Sequence, residues 1–244
     1  MMDYTKSYTG AQKSVDLGLR SYMLKVYNYM AIALTITGLM AYLVANVSPI
    51  TQMFFLVTPS GMIRGMTALG TVAIFAPMFL AFYFSFGLAS HSIDKSRTLF
   101  WIYAGLMGIS IAAISMQYTG ESVARTFFVT AATFGATSIY GYTTKRDLTT
   151  FSSFLTMGVF GLIIASLVNI FFQSPAIYLA TSLLGVAIFI GLIAYDTQKI
   201  KSLYYSVGGG LLGEKMAISA AFSLYLDVIN LFIYLLRFMG NRKD

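Results

Sequence analysis

The sequence predicts an all-α membrane protein, and three observations support this fold class. Of 244 residues, 57% are hydrophobic and only 10% are charged, whereas a soluble domain has about 25% charged residues. Several runs of about 20 residues carry no charge, and a helix of that length crosses about 30 Å of hydrocarbon. Runs such as 31–40 and 183–192 are apolar on every side, without the alternation of a transmembrane β-barrel.

The apolar runs predict one domain with seven transmembrane helices. Their approximate bounds are 27–47, 66–90, 98–117, 122–142, 151–172, 177–198 and 216–239. The first run is longer than a signal-peptide core, so we expect an uncleaved helix. Pro77 removes a backbone donor from the second, where we expect a kink. The predicted division is a cytoplasmic N-terminal segment 1–25, a transmembrane domain 26–240 and a short tail 241–244.

The distribution of Lys and Arg between the spans predicts a cytoplasmic N-terminus, because cytoplasmic loops carry the excess of both. With that orientation, the cytoplasmic segments hold Lys6, Lys13, Arg20, Lys25, Lys95, Arg97, Lys145, Arg146, Lys199, Lys201 and Lys215. The opposite loops hold only Arg64 and Arg125. The last span ends beside Arg237, Arg242 and Lys243, so either this tail is a tolerated exception or span seven does not cross fully.

Composition also excludes several classes of function. The absence of cysteine rules out disulfides, zinc–thiolate sites and a thiol nucleophile. The formal charge of +7 is explained by topology signals in the loops, so we expect no nucleic-acid partner. No arrangement of nucleophile and base is visible, so we expect neither an enzyme nor a cofactor.

Two carboxylates in the last two spans are the sharpest functional feature. Asp196 and Asp227 each lie in sequence that is otherwise apolar, where a lone ionisable group costs several kcal/mol and normally faces a partner or a water-filled cavity. Asp227 lies about 18 Å along its helix from Lys215, by the helical rise. Two interpretations stay open: either the acids pair, or Asp196 extends to the interface near Lys199 and Asp227 alone is buried.

If the two acids meet, their chemistry is constrained. Two carboxylates in one dry site cannot both ionise, so the pair retains a proton. When both are deprotonated, Asp196 and Asp227 offer oxygen ligands to a hard cation, calcium above all. Such a pair is a metal-binding site that depends on pH.

His91 is the only histidine and lies at the cytoplasmic end of span two. Its ordinary pKa allows it to sense pH near neutrality. The competing interpretation is a solvated loop residue without a function.

The segments GLIAYDTQKI (191–200) and SLYLDVINLFIYLLRF (223–238) closely resemble the signature of the transmembrane Bax inhibitor motif family. The resemblance extends to KVYNY (25–29) and to the number of spans, so it covers most of the chain. It implies a bundle whose last helix is central, wrapped by the other six, with the N-terminus in the cytoplasm. It also implies a pH-sensitive calcium leak in which Asp196 and Asp227 form a hydrogen-bonded pair that senses protons and gates the pore.

One position departs from the family pattern. Some prokaryotic relatives place an arginine near the cytoplasmic end of span two, where it bonds to the acid pair as a latch. This sequence has His91 there, with Lys95 and Arg97 further on. The resemblance therefore implies that the latch is missing or is transferred to one of these three residues.

The resemblance leaves a second function open. Bacterial relatives also resemble modulators of a membrane-bound quality-control protease, and such a protein acts by binding, in a stress or cell-death response, without ion flux. The expected partners are thus the lipid bilayer, calcium, protons and a membrane protease. A passive leak and a proton-coupled exchanger are equally compatible with the sequence, and the expected location is a bacterial inner membrane.

Overall fold

A computed structural model of the protein describes residues 4–58, 63–87, 90–207 and 210–243. The first three residues of the predicted N-terminal segment and Asp244 of the predicted tail lie outside this range. The elements in chain order are α1 (Tyr4–Asn46), α2 (Ser48–Phe54), β1 (Phe55–Val57), β2 (Ile63–Met66), α3 (Ala68–Gly87), α4 (Ile93–Ser115), α5 (Gly120–Thr143), a 3₁₀ turn (Leu148–Phe151), α6 (Ser152–Phe172), α7 (Pro175–Val207) and α8 (Gly210–Met239).

The predicted class of all-α membrane protein is confirmed. In the described part of the chain, six helices are long and apolar enough to cross a membrane, namely α1 from Leu17 onward, α3, α4, α6 with its preceding 3₁₀ turn, α7 and α8. The short antiparallel hairpin of β1 and β2 was not predicted; it pairs Phe55 with Met66 and connects the first two spans. Pro77 lies inside α3, which continues past it.

The seventh long helix, α5, is less apolar because its inward face carries hydroxyl groups. The buried Ser122, Thr126 and Thr130 lie on that face. Thr126 donates to the Ser122 carbonyl at 2.7 Å and Thr130 to the Thr126 carbonyl at 2.8 Å, so these hydroxyls are satisfied within the helix. The outward face is apolar, with Phe127 and Phe128 exposed at 59% and 70%. The low hydropathy of α5 therefore arises from these buried hydroxyls and from the exposed Glu121 and Arg125 near its start.

The last helix is the core of the bundle. Of an 18-residue stretch of α8, 67% is buried, against 11% to 39% in the other five apolar helices. It packs chiefly against α1, α4, α5 and α7. Phe222 shows how: its ring lies 4.4 Å from that of Phe84, 5.4 Å from Phe100 and 4.9 Å from Tyr103. One turn on, the Tyr225 and Thr37 hydroxyls are hydrogen-bonded at 2.7 Å.

The chain end lies against the connection between α4 and α5. The Thr119 amide donates to the Asn241 carbonyl, and the Lys243 amide to the Gln117 carbonyl, both at 2.9 Å. These bonds attach the tail to the α4–α5 connection, while the first turn of α8 contacts the first turn of α4 through Glu214 and Arg97. Since α8 meets both ends of α4, it traverses the whole bundle.

Two helices extend beyond the predicted spans. α1 has 43 residues and α7 has 33, which corresponds to about 64 Å and about 50 Å of helix. α1 has no break at residue 25, and α7 continues nine residues past Gln198. The Tyr22 and Tyr204 rings pack at 5.5 Å, so the extensions support each other. Apolar runs report only the part of a helix within hydrocarbon, and therefore missed both extensions.

Candidate functional site

Asp227 lies in the centre of α8 and is surrounded by the bundle. Its side chain is only 7% exposed, because the buried residues of α8 lie on almost every side of the helix. Its Oδ2 atom has no hydrogen-bond partner in the described part of the chain. A buried acceptor without a partner is costly, and in a membrane helix it indicates a functional group.

Asp196 lies on α7, is partly buried, and interacts electrostatically with Asp227. Eleven residues separate Asp196 from the end of α7 at Val207, and seventeen separate Asp227 from the start of α8 at Gly210. By the helical rise, these separations correspond to about 16 Å and about 26 Å, so the two carboxylates are offset by about 9 Å along the helix axes. The length of the side chains and the crossing of the two helices reduce this offset. Asp196 also interacts with Lys199, one turn toward the cytoplasm.

A cluster of hydroxyl groups adjoins Asp196 on the neighbouring face of α7. Thr197 is fully buried and donates to the Ser138 hydroxyl of α5 at 3.5 Å. The Tyr27 side chain of α1 adjoins both of these hydroxyls. Lys201, one turn further, donates to the Tyr142 carbonyl at 3.0 Å. Neutral oxygen atoms thus extend from the acid pair toward the cytoplasmic end of the bundle.

The described residues contain no group of three or more His, Cys, Asp or Glu side chains placed to hold a metal ion. Asp196 and Asp227 are therefore only two carboxylates, whereas calcium takes about six to eight oxygen ligands.

The three residues considered as a latch have their contacts elsewhere. Arg97 forms an ion pair with Glu214 at 3.0 Å and a weaker one with Asp94 at 3.4 Å. It also donates to the Tyr29 hydroxyl at 3.2 Å. Glu214 further contacts Lys25 at 3.8 Å. This network, of Lys25, Tyr29, Arg97 and Glu214, joins α1, α4 and the first turn of α8.

Lys95 and His91 both contact the Tyr83 side chain. Lys95 donates to the Tyr83 hydroxyl at 2.9 Å, and the His91 ring lies 5.0 Å from the Tyr83 ring. His91 is only 5% exposed, so the interpretation as a solvated loop residue was wrong. Burial lowers the pKa of His91 below its ordinary 6.5, and the nearby Lys95 and Lys215 ammonium groups lower it further. The neutral imidazole is therefore the form that the fold favours.

Sequence reasoning missed Glu214 and Tyr29 as members of a site. Glu214 plays no part in the sequence-based prediction, and Tyr29 enters it only as part of the KVYNY segment. A polar signal was nevertheless present, since Glu214 is the only acid near the start of the last span. The hydroxyls of Tyr27, Ser138 and Thr197 gave no signal, because Ser and Thr are ordinary in membrane helices.

These features match the comparison with known families. The model of the family described as "Inhibitor of apoptosis-promoting Bax1" matches residues 19–244. The chain belongs to this family. The predicted family relationship is therefore confirmed, over nearly the whole length of this Bax inhibitor family protein.

Individual relatives agree with the family match. An uncharacterized protein of Rickettsia prowazekii is 52% identical over the full length of both chains. Inner membrane protein YbhL of Escherichia coli is 39% identical over 93% of this chain and 94% of its own. An uncharacterized membrane protein of Streptococcus pyogenes is 32% identical over 94% and 96%. With the apolar helices, these relatives support the predicted location: this is a multi-pass bacterial inner membrane protein.

Proposed function

We propose that this Bax inhibitor family protein is a pH-sensitive cation leak, with calcium as the permeant ion, gated by protonation of Asp196 and Asp227. The observation that supports the proposal is the buried Asp227 carboxylate with an unpartnered oxygen, in electrostatic range of Asp196. The proposal requires no catalytic residue and no resident cofactor.

The gate works through charge at the α7–α8 contact. While a proton is held, the repulsion between the two carboxylates is removed and the helices pack closely. When the proton leaves, two like charges in a poorly solvated interior repel strongly, and the contact opens or admits a cation between the carboxylates. The hydroxyls of Tyr27, Ser138 and Thr197 then offer oxygen contacts between the pair and the cytoplasm. Arg97 takes no part as a latch on the pair, because it is engaged by Glu214.

The path requires a bundle of seven crossings, and we include α5 as the fourth. It has 24 residues, or about 36 Å of helix, enough to span the hydrocarbon. Its polar face is turned toward α7 and α8, and its apolar face carries exposed phenylalanines. With a cytoplasmic N-terminus, as the loop charges indicate, seven crossings place the end of α8 outside.

The test is calcium entry into proteoliposomes between about pH 5 and about pH 8, a range that covers protonation of a buried carboxylate pair. Wild type is compared with Asp196→Asn and Asp227→Asn, and Glu121→Gln serves as a control that removes an exposed carboxylate. We expect the pH midpoint to shift or vanish in both Asn variants and to stay in the control. Recording the internal pH separates a passive leak from proton exchange. Absence of flux at every pH, with folded protein, would refute the leak.

A second function, binding to a membrane-bound quality-control protease without ion flux, is supported by one feature. α1 and α7 continue past the hydrocarbon and pack together through Tyr22 and Tyr204, which builds a helical surface at the cytoplasmic end. In this case the acid pair serves the stability of the bundle alone. If this second function is correct, the protein should co-purify with the protease, and both Asn variants should still do so. A complex that depends on Asp196 and Asp227 would count against this function.

A further inference from the structure

Two arginines at the end of α8 share one aromatic ring. The Arg242 guanidinium carbon lies 5.2 Å from the centre of the Tyr178 ring, and that of Arg237 lies 6.0 Å from it. Two cations this close lie within about one Debye length and repel each other. Within residues 4–58, 63–87, 90–207 and 210–243, neither arginine forms an ion pair with a carboxylate. Their contacts with aromatic rings stabilise the cations but leave the positive charge uncompensated.

The surroundings fix these charges in place. Arg242 donates to the Tyr178 hydroxyl at 3.1 Å, and that hydroxyl is hydrogen-bonded to the Tyr118 hydroxyl at 3.0 Å. The backbone of Arg242 is bridged to that of Tyr118. A third guanidinium, of Arg125, donates to the Met239 carbonyl at 3.1 Å at the same end of α8. The cluster is therefore preorganised for an anion, since its geometry is set before a ligand arrives.

The depth of the cluster matches the lipid headgroups. Arg237 lies ten residues after Asp227, or about 15 Å along the helix, which is half the thickness of the hydrocarbon. The tyrosines beside it are residues typical of the membrane interface. Phe238, next to Arg237, and Phe127, two residues after Arg125, are 48% and 59% exposed, so apolar side chains for contact with acyl chains adjoin these arginines.

We propose that Arg237 and Arg242, positioned by Tyr118 and Tyr178, bind the phosphate group of an anionic phospholipid in the outer leaflet. Guanidinium groups suit this ligand, because their planar donors match phosphate oxygens in pairs. The site explains why basic residues lie at an end of the bundle where the other loops have few. The site does not require the proposed ion flux, but its position in the outer leaflet rests on the seven crossings of the proposed function.

The experiment follows the unfolding temperature of the detergent-purified full chain during titration with short-chain phosphatidylglycerol, since a ligand of the folded state raises it. Arg237→Gln and Arg242→Gln are each expected to raise the half-saturating concentration about fivefold, which corresponds to about 1 kcal/mol. Arg64→Gln is the matched control, an exposed arginine on the same side of the bundle but outside the cluster. Arg242→Lys keeps the charge but lacks the paired planar donors, so it should bind more weakly than the wild type and more tightly than Arg242→Gln.

The outcomes are distinct. Equal responses of the wild type and both Gln variants would overturn the site, as would equal stabilisation by phosphatidylcholine, whose headgroup has no net charge. Stabilisation by inorganic phosphate with the same arginine dependence, and none by phosphatidylglycerol, would overturn the lipid as the occupant. If Arg242→Gln loosens the tail without lipid, Arg237→Gln decides, because the Arg237 guanidinium lies over the Tyr178 and Tyr234 rings and does not hold the tail.

Discussion

The contact between α5 and α7 gives a sharp test of how tightly the bundle is built around Asp196. A Cβ atom added at Gly141 would meet the Ala194 carbonyl oxygen and would lie 3.0 Å from both the Cα and the carbonyl carbon of Ala194. These are backbone atoms, so no rotamer change relieves the contact. Because carbon atoms prefer separations of about 3.5 Å or more, α5 and α7 must separate by at least about 0.5 Å. Ala194 lies two residues before Asp196.

Gly141→Ala should therefore destabilise the protein by about 1 to 3 kcal/mol, the usual range for overpacking. Gly135→Ala on the same helix is the matched control, because a Cβ there meets nothing within 4 Å. Alanine is the better helix former by up to about 1 kcal/mol, so the control should be neutral or stabilising. The assay is the fraction of monodisperse protein after heating in detergent, measured by size exclusion. Equal stability of the two variants would refute the close helix approach.

Three further predictions concern the network and the core. Glu214→Gln should lower stability by about 1 to 2 kcal/mol, because it removes the charge from a partly buried ion pair at 3.0 Å. Asp94→Asn is the comparison and should cost less than about 0.5 kcal/mol, because the Asp94 side chain is 89% exposed. Thermal unfolding in detergent measures both. Since the pKa of His91 is lowered in the folded protein, stability should be constant above about pH 6.5 and fall below it, and His91→Gln should flatten that fall in a pH series of unfolding temperatures. Tyr225→Phe should lower stability by about 1 kcal/mol. Thr37→Val should lower it more, because this variant leaves the fully buried Tyr225 hydroxyl without its hydrogen-bond partner at 2.7 Å. The reverse order would contradict this account of the Thr37–Tyr225 hydrogen bond.

The sequence predicted where helices cross hydrocarbon but not where they end. Long apolar runs located the seven long helices, because charged side chains are rare in hydrocarbon. They missed the first turns of α1 and the last turns of α7, which carry Lys and Tyr and remain helical through contacts such as that of Tyr22 with Tyr204. The hairpin of β1 and β2 was missed for a related reason, since three or four residues give too short a pattern to recognise.

The candidate site was likewise predicted only in part from the sequence. Asp196 and Asp227 were found because a carboxylate in an apolar run has few ordinary explanations. Their positions along the two spans left open whether they pair, and only the resemblance to the family indicated that they do. The Arg97–Glu214 contact joins residues 117 positions apart, and Glu214 contacts Tyr29 across 185. Such pairs follow from the packing of α1, α4 and α8, which a single sequence does not contain.

Both ends of α8 are attached to α4, and this restricts how the proposed gate opens. Glu214 holds the cytoplasmic end, and the tail holds the other. Sliding of α8 would break both contacts at once, so we expect α7 to move against a fixed α8 when the carboxylates ionise. Because the chain has no cysteine, Gln117→Cys with Lys243→Cys introduces one defined crosslink between neighbouring backbones. Oxidation should leave calcium flux and its pH midpoint unchanged. If flux stops on oxidation and returns on reduction, the end of α8 moves during gating, and the fixed-helix mechanism is wrong.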